Sequence, residues 1–132
     1  MKKVLVDTSI WIEYFKGKKM VQDIIHDPKN FQCFIVGSVI AELLLGIKTS
    51  SEKNRLITCL NVLPMLEITD NDWIDAGNTG NLLRQKGITV PLPDLIIFSV
   101  ANKNSCALFT MDKHFEIIKD SIKSEIEIIK SI

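Results

Sequence analysis

The sequence predicts an α/β sandwich around a mostly parallel sheet. Three observations predict it. Short apolar runs at 4–6, 33–36 and 106–109 suit buried strands and are too short for core helices. Stretches of helical spacing separate them, and strands alternating with helices form parallel sheets covered on both faces. The first run passes through Asp7-Thr8-Ser9 straight into Ile10-Trp11-Ile12-Glu13-Tyr14-Phe15, the strand-to-helix step that opens a βαβ unit.

The elements follow in order. Val4 to Val6 is the first strand, and the helix after Ser9 ends near Gly17. A second helical stretch, 20–26, meets the turn Asp27-Pro28-Lys29-Asn30 before the strand at 33–36. Ser38 is placed to cap a helix reaching about Ile47, and 51–60 reads as another, stopped before Pro64. A weak strand at 65–68 leads to Thr69-Asp70-Asn71-Asp72, a capping-box-like start for a helix with Trp73, Ala76, Gly80 and Leu83 at helical spacing. After a loop with two prolines, 95–101 is apolar nearly all round, as a buried helix requires. The strand at 106–109 ends at Thr110, Asp112-Lys113-His114-Phe115 reads as a turn, and 126–129 is an edge strand. A chain of 132 residues without linker or repeat is expected to form one domain, 1–132.

Composition narrows the function. Apolar residues at 46% and charged ones at 24% leave no room for long disorder. Sixteen basic and sixteen acidic residues cancel, so bulk charge favours neither nucleic acid nor membrane, and only Arg55 and Arg84 among the basic residues are arginines. Cys33, Cys59 and Cys106 lie at spacings that suit no zinc site or disulfide framework, which suggests free thiols in a reducing compartment. Three apolar residues before Asp7 do not make a signal peptide, and no apolar run approaches the ~20 residues of a membrane span. The expected location is the cytoplasm, without a membrane partner.

The chemistry lies in four carboxylates set in apolar sequence: Asp7, Glu42, Asp94 and Asp112. A carboxylate near a core needs a cation or several hydrogen bonds to offset its lost hydration. A few Asp and Glu side chains with no patterned His or Cys suit a hard divalent cation such as Mg²⁺. Ligands of open α/β sheets gather beyond the carboxyl ends of the strands. Asp7 and Asp112 follow strands directly, and Glu42 sits one turn into the next helix. Asp94 opens a helix that leads into a strand, and is expected at the opposite edge unless that helix packs across the end of the sheet.

Each residue also has a plainer reading. Asp7 and Asp94 fit helix caps, Glu42 fits a surface ion pair, and Asp112 fits a turn cap. His26 and His114 read as surface residues, because neither has ligand-like spacing to the other or to a Cys. Lys16-Gly17-Lys18-Lys19 reads first as a solvated loop and second as a phosphate contact. The conjunction of four acidic blocks favours a shared site.

Those blocks carry a resemblance. Leu5-Val6-Asp7-Thr8-Ser9, Val39-Ile40-Ala41-Glu42-Leu43, Leu92-Pro93-Asp94-Leu95-Ile96 and Leu108-Phe109-Thr110-Met111-Asp112-Lys113-His114-Phe115 resemble, in order and spacing, the acidic blocks of PIN-domain ribonucleases. The short length is similar to that of VapC-type toxins of toxin-antitoxin pairs. The resemblance implies a PIN-like three-layer α/β/α sandwich with about five strands, and an endoribonuclease using Mg²⁺ or Mn²⁺ at Asp7, Glu42, Asp94 and Asp112. It implies support of the site by Thr110, with Ser9 in the similar position after Asp7, and leaves the part of Glu116 open. It also implies an RNA substrate, a homodimer and a cognate antitoxin. Lys16, Lys18, Lys19 and Arg84 are candidates for phosphate contacts. The apolar helices around 40–47 and 56–63 are candidate dimer surfaces, although burial against the sheet explains most of their side chains. The competing readings are an aspartyl-phosphate phosphatase, disfavoured by Ser9 where a second Asp is expected, a receiver domain, and a non-catalytic binding module.

Overall fold

The computed structural model describes residues 1–130; positions 131 and 132 of the expected domain lie outside them. The order of elements is β1 (Lys2–Val6), α1 (Thr8–Phe15), α2 (Lys19–Ile25), β2 (Phe31–Val36), α3 (Gly37–Gly46), α4 (Ser50–Leu60), β3 (Met65–Leu66), α5 (Asp70–Gln85), α6 (Leu92–Lys103), β4 (Ala107–Phe109), α7 (His114–Ile122) and β5 (Ile128–Ile129). The five strands form one sheet in the order β3-β2-β1-β4-β5, with every pairing parallel. The α/β/α sandwich is therefore as expected, and its sheet is wholly parallel.

Central position explains the apolar runs. β1 lies between β2 and β4, so Val4, Leu5 and Val6 are fully buried, as is Leu108 beside Leu5. Such strands carry unbroken hydrophobic sequence because helices cover both faces. Trp11, Ile96, Ile97, Phe98 and Phe115 fill the layers above and below.

Three local expectations shift. Ser38 does not cap α3: Val36 holds the N-cap position, no side chain caps it, and the buried Ser38 hydroxyl lacks a partner among the described residues. The inward stripe of α5 runs through Asp72, Ala76 and Leu83, leaving Trp73 half exposed. The turn expected at 112–115 runs into a helix not foreseen, α7; its signal is Phe115 and Ile118 at i, i+3 spacing, both fully buried. Around α3 and α4 burial accounts for most apolar side chains, as expected, with Ile40, Ile47, Cys59, Leu60 and Leu63 packed against the core beside buried Leu43 and Leu56. Leu45 is 87% exposed, however, Val62 just beyond α4 is 76% exposed, and Leu44 and Ile57 also face out.

One close approach aligns the pair α5 and α6. A Cβ on Gly80 would stand 2.8 Å from Leu95 Cδ1, so the backbone of α5 lies directly on the start of α6. At the other end Asp72 of α5 meets Ser99 and Lys103 of α6. The two helices are thus antiparallel, and α6 ends three residues before β4 begins.

Candidate functional site

Two strand ends build the floor of the site. Asp7 follows β1, its N–H donates to the Phe109 carbonyl at the end of β4 (3.0 Å), and it is the N-cap of α1. Its Oδ2 accepts hydrogen bonds from the Thr110 hydroxyl (2.9 Å), the Ser9 hydroxyl (2.8 Å) and the Ser9 N–H (3.4 Å). The same hydroxyls accept in turn: Thr110 Oγ1 from the Asp112 N–H (2.9 Å) and Ser9 Oγ from the Met111 N–H (3.0 Å). Two small hydroxyls thus clasp the β1 and β4 loops and hold a carboxylate that is only 4% exposed. Asp7 is a helix cap and a site residue at once.

The other carboxylates arrive from helices. Glu42, in α3, accepts a hydrogen bond from the Thr8 hydroxyl at 3.4 Å. Asp94 lies in the first turn of α6, and the expectation that it falls at the opposite edge is wrong. A helix that runs into a parallel strand ends at the strand's amino edge, so it begins at the carboxyl edge, beside Asp7. Electrostatics records the convergence. Desolvation raises the pKa of Glu42, and the charges of Asp7 and Asp94 raise it further. Desolvation likewise raises that of Asp94, with the charges of Asp112 and Asp7 adding, against a lowering by its hydrogen bond to His114. The charges of Asp7 and Asp94 thus act on Glu42, and those of Asp112 and Asp7 on Asp94.

His114 joins them, contrary to its reading as a surface residue. Its Nδ1 lies 2.7 Å from Asp94 Oδ2 and 3.1 Å from Asp112 Oδ1, and its backbone N–H donates to Asp112 Oδ1 at 2.9 Å. The Asp94 hydrogen bond is the main cause of a raised His114 pKa. A signal existed at i, i+2 from Asp112, but nothing in sequence spacing ties residue 114 to residue 94. His26 stays apart, its Nε2 bound to the Tyr14 hydroxyl at 2.7 Å.

The hydrogen bonds divide each carboxylate in two. Among the described residues, all protein donors fall on Asp7 Oδ2, Glu42 Oε1, Asp94 Oδ2 and Asp112 Oδ1, and none on Asp7 Oδ1, Glu42 Oε2, Asp94 Oδ1 or Asp112 Oδ2. One oxygen of each is oriented by the protein and the other is left over. No Lys or Arg pairs with the four in the described residues, and Asp94, Asp112 and His114 can bring ligand atoms within 4.8 Å of one another. This donor set fits a hard divalent cation, whose oxygen ligands are held by just such outer hydrogen bonds.

A groove of about 430 Å³ opens beside Thr8 and Glu42, with Ile12, Phe15, Leu43 and Ile47 on its walls and Lys16, Lys48 and Arg55 at its rim. The Arg55 guanidinium lies 5.1 Å from the Phe15 ring and donates to the Phe15 carbonyl at 3.3 Å. Lys16 lines this groove and pairs with Glu13 at 3.8 Å, Lys19 pairs with Asp23, and Lys48 and Arg55 were not among the expected contacts. Glu116 pairs with Lys130 at 2.8 Å. Arg84 sits in the last turn of α5, with no ion pair to the carboxylates among the described residues.

A family model described as PIN domain matches residues 4–120. The chain belongs to the PIN-domain family. This PIN domain is 30% identical over 96 residues to ribonuclease VapC3 of Methanocaldococcus jannaschii, covering 73% of the chain and 95% of that relative. It is 24% identical over 121 residues to ribonuclease VapC11 of Mycobacterium tuberculosis, covering 87% and 90%. Among solved structures it is similar to VapBC-1 from nontypeable Haemophilus influenzae (TM-score 0.75, 16% identity, 98% and 96% covered). It is also similar to VapBC2 from Rickettsia felis bound to a promoter DNA fragment (TM-score 0.74, 21% identity, 98% and 99% covered). These likenesses show that the PIN domain has the fold found in those assemblies.

Proposed function

We propose that this PIN domain is a Mg²⁺- or Mn²⁺-dependent endoribonuclease and the toxin of a VapBC-type pair. The observation that carries the reading is the convergence of Asp7, Glu42, Asp94 and Asp112, each with one oxygen bound by the protein and one without a donor. The relatives named ribonuclease VapC support it.

Asp7, Glu42, Asp94 and Asp112 would hold the ion, their donor-free oxygens being available to it. Bound there, a divalent cation would supply hydroxide near neutral pH and charge neutralisation for phosphodiester hydrolysis to a 5′-phosphate and a 3′-hydroxyl. Thr110 and Ser9 fix Asp7, and Thr8 steadies Glu42. Lys16, Lys48 and Arg55 hold RNA phosphates without reading bases. Cys33 and Cys106 are buried in the core, and burial raises the pKa of both thiols.

The groove, with apolar walls and Lys16, Lys48 and Arg55 beside Glu42 and Glu52, suits a segment of a cognate antitoxin, seated where it blocks the approach to Glu42. Leu44, Leu45, Ile57 and Val62 provide an apolar face for a homodimer. No helix among the described residues is long and apolar enough to cross a membrane, and the cytoplasm is the place of action proposed. Incubation of the purified protein with single-stranded RNA tests the core of the reading. Cleavage is expected with Mg²⁺ or Mn²⁺, and none with excess EDTA or with Asp94→Asn. Undiminished cleavage in EDTA rejects the metal mechanism, and absence of cleavage under all conditions favours a binding module.

A further inference from the structure

We propose that His114 is a positioning residue of this site, one that sets Asp94 and Asp112 so that their unbound oxygens face the ion. The inference rests on the metal-site reading above. Asp7 has three donors on its oriented oxygen, but Asp94 has a single one among the described residues, the His114 ring. Asp94 and Asp112 come from separate elements, the first turn of α6 and the loop after β4, and among the described residues His114 Nδ1 is the one atom hydrogen-bonded or paired with both, at 2.7 and 3.1 Å.

The imidazole is itself held. Its backbone N–H is bound to Asp112 Oδ1, and it opens α7, which Phe115 and Ile118 root in the core at 0% exposure. A ring so placed transmits the position of a buried helix to two carboxylates. The geometry needs a proton on Nδ1, which the imidazolium and one neutral tautomer both provide, so the role does not depend on the charge of the ring. Partners of this kind orient ligands by hydrogen bonding, and their loss costs roughly 10- to 100-fold in metal affinity or activity.

The test is Mn²⁺ binding by the intact protein, measured by calorimetry, with three variants. His114→Leu keeps bulk and loses the donor, and is expected to bind Mn²⁺ about 10- to 100-fold more weakly. His114→Asn carries its amide near the position of Nδ1 and is expected to recover most of that loss. Melting in EDTA reports the fold of each; if the Leu variant unfolds, His114→Gln, whose donor is displaced by one methylene, takes its place with the same expected weakening. Wild-type affinity in the Leu or Gln variant overturns the inference. So does failure of Asn to recover binding, and so does a strong ¹⁴N coupling from a coordinated imidazole in the electron spin-echo spectrum of Mn²⁺, which would make His114 a ligand. In the first of these cases RNA cleavage by the wild type still stands, so the nuclease reading survives. A wild type that neither binds Mn²⁺ nor cleaves RNA overturns both.

Discussion

Asp72 and Asp7 are both withdrawn from water, at 0% and 4% exposure, yet they serve opposite ends. Asp72 has both oxygens occupied: Oδ1 accepts from the Ser99 hydroxyl, and Oδ2 from Lys103 Nζ (2.7 Å), the Thr69 N–H (2.8 Å) and the Thr69 hydroxyl (3.0 Å). It completes a capping box with Thr69 and ties α5 to α6. In the cleft, each carboxylate stops half-way, with one oxygen held and the other free. Burial alone does not distinguish a structural carboxylate from a functional one. What separates them is whether the protein has used up the acceptors, because a filled carboxylate has no lone pairs directed at a ligand.

That contrast is broken most sharply by neutralising one carboxylate in the cleft. Asp94→Asn is expected to abolish RNA cleavage. In EDTA it is expected to melt no lower than wild type, because like charges crowd the cleft: at about 4 Å and an effective dielectric near 20, a pair repels by roughly 4 kcal/mol before relaxation. Added Mg²⁺ should raise the wild-type melting temperature and leave the variant nearly unmoved. Equal shifts in the two proteins would remove Asp94 from the metal site.

The matching change at Asp72 should act on stability instead. Asp72→Ala strips the capping box and leaves the Thr69 N–H, the Ser99 hydroxyl and Lys103 without their acceptor, a loss of about 2–3 kcal/mol. Urea unfolding is expected to show that loss, with the Mg²⁺-induced shift of melting temperature preserved. A stable variant that no longer responds to Mg²⁺ would reverse the assignment of the two regions.

The smallest effect is a difference in sign with pH, measured on metal-free protein. Burial alone would raise the pKa of Asp72, but its Lys103 and Thr69 hydrogen bonds outweigh this and hold it below the ordinary value of about 3.9. Its stabilisation is present above that value and is lost as pH falls through the lowered folded pKa. Asp94 and Glu42 are raised, so the folded cleft takes up protons before the unfolded chain does, and stability there grows as pH falls towards the acid range. The raised His114 adds in the same direction, being fully stabilising below its unfolded pKa. In EDTA, melting temperature should therefore rise on mild acidification and drop on strong acidification, and Asp72→Asn should flatten only the drop. A drop that persists in Asp72→Asn assigns it to other carboxylates.

Local patterns already carried much of this molecule. The apolar runs of β1, β2 and β4, the Thr69–Asp72 capping box and the order of four acidic blocks are statements about neighbours in the chain, which a sequence records directly. The face of α5 was legible except at its start: Ala76, Gly80 and Leu83 turn inward as expected, but Asp72 takes the inward place of Trp73, because Ser99 and Lys103 of α6 supply its partners. The direction of α6 could be reasoned from connectivity, since a helix that feeds a parallel strand must start at the carboxyl edge, and that step places Asp94.

What only the tertiary structure decided is which atoms meet. The Thr110 hydroxyl and Asp7 are 103 positions apart, and Asp94 and His114 are 20 apart. Both contacts exist because β4 pairs beside β1 and α7 packs back on the core. Sequence determined that Asp7, Asp94 and Asp112 stand at element ends and Glu42 inside a helix; the sheet order determined that their charges act on one another, and hydrogen bonds determined which oxygen of each was left free. Side-chain spacing along a chain fixes local geometry within a turn or two, whereas contacts across a sheet depend on the register of strands far apart in sequence.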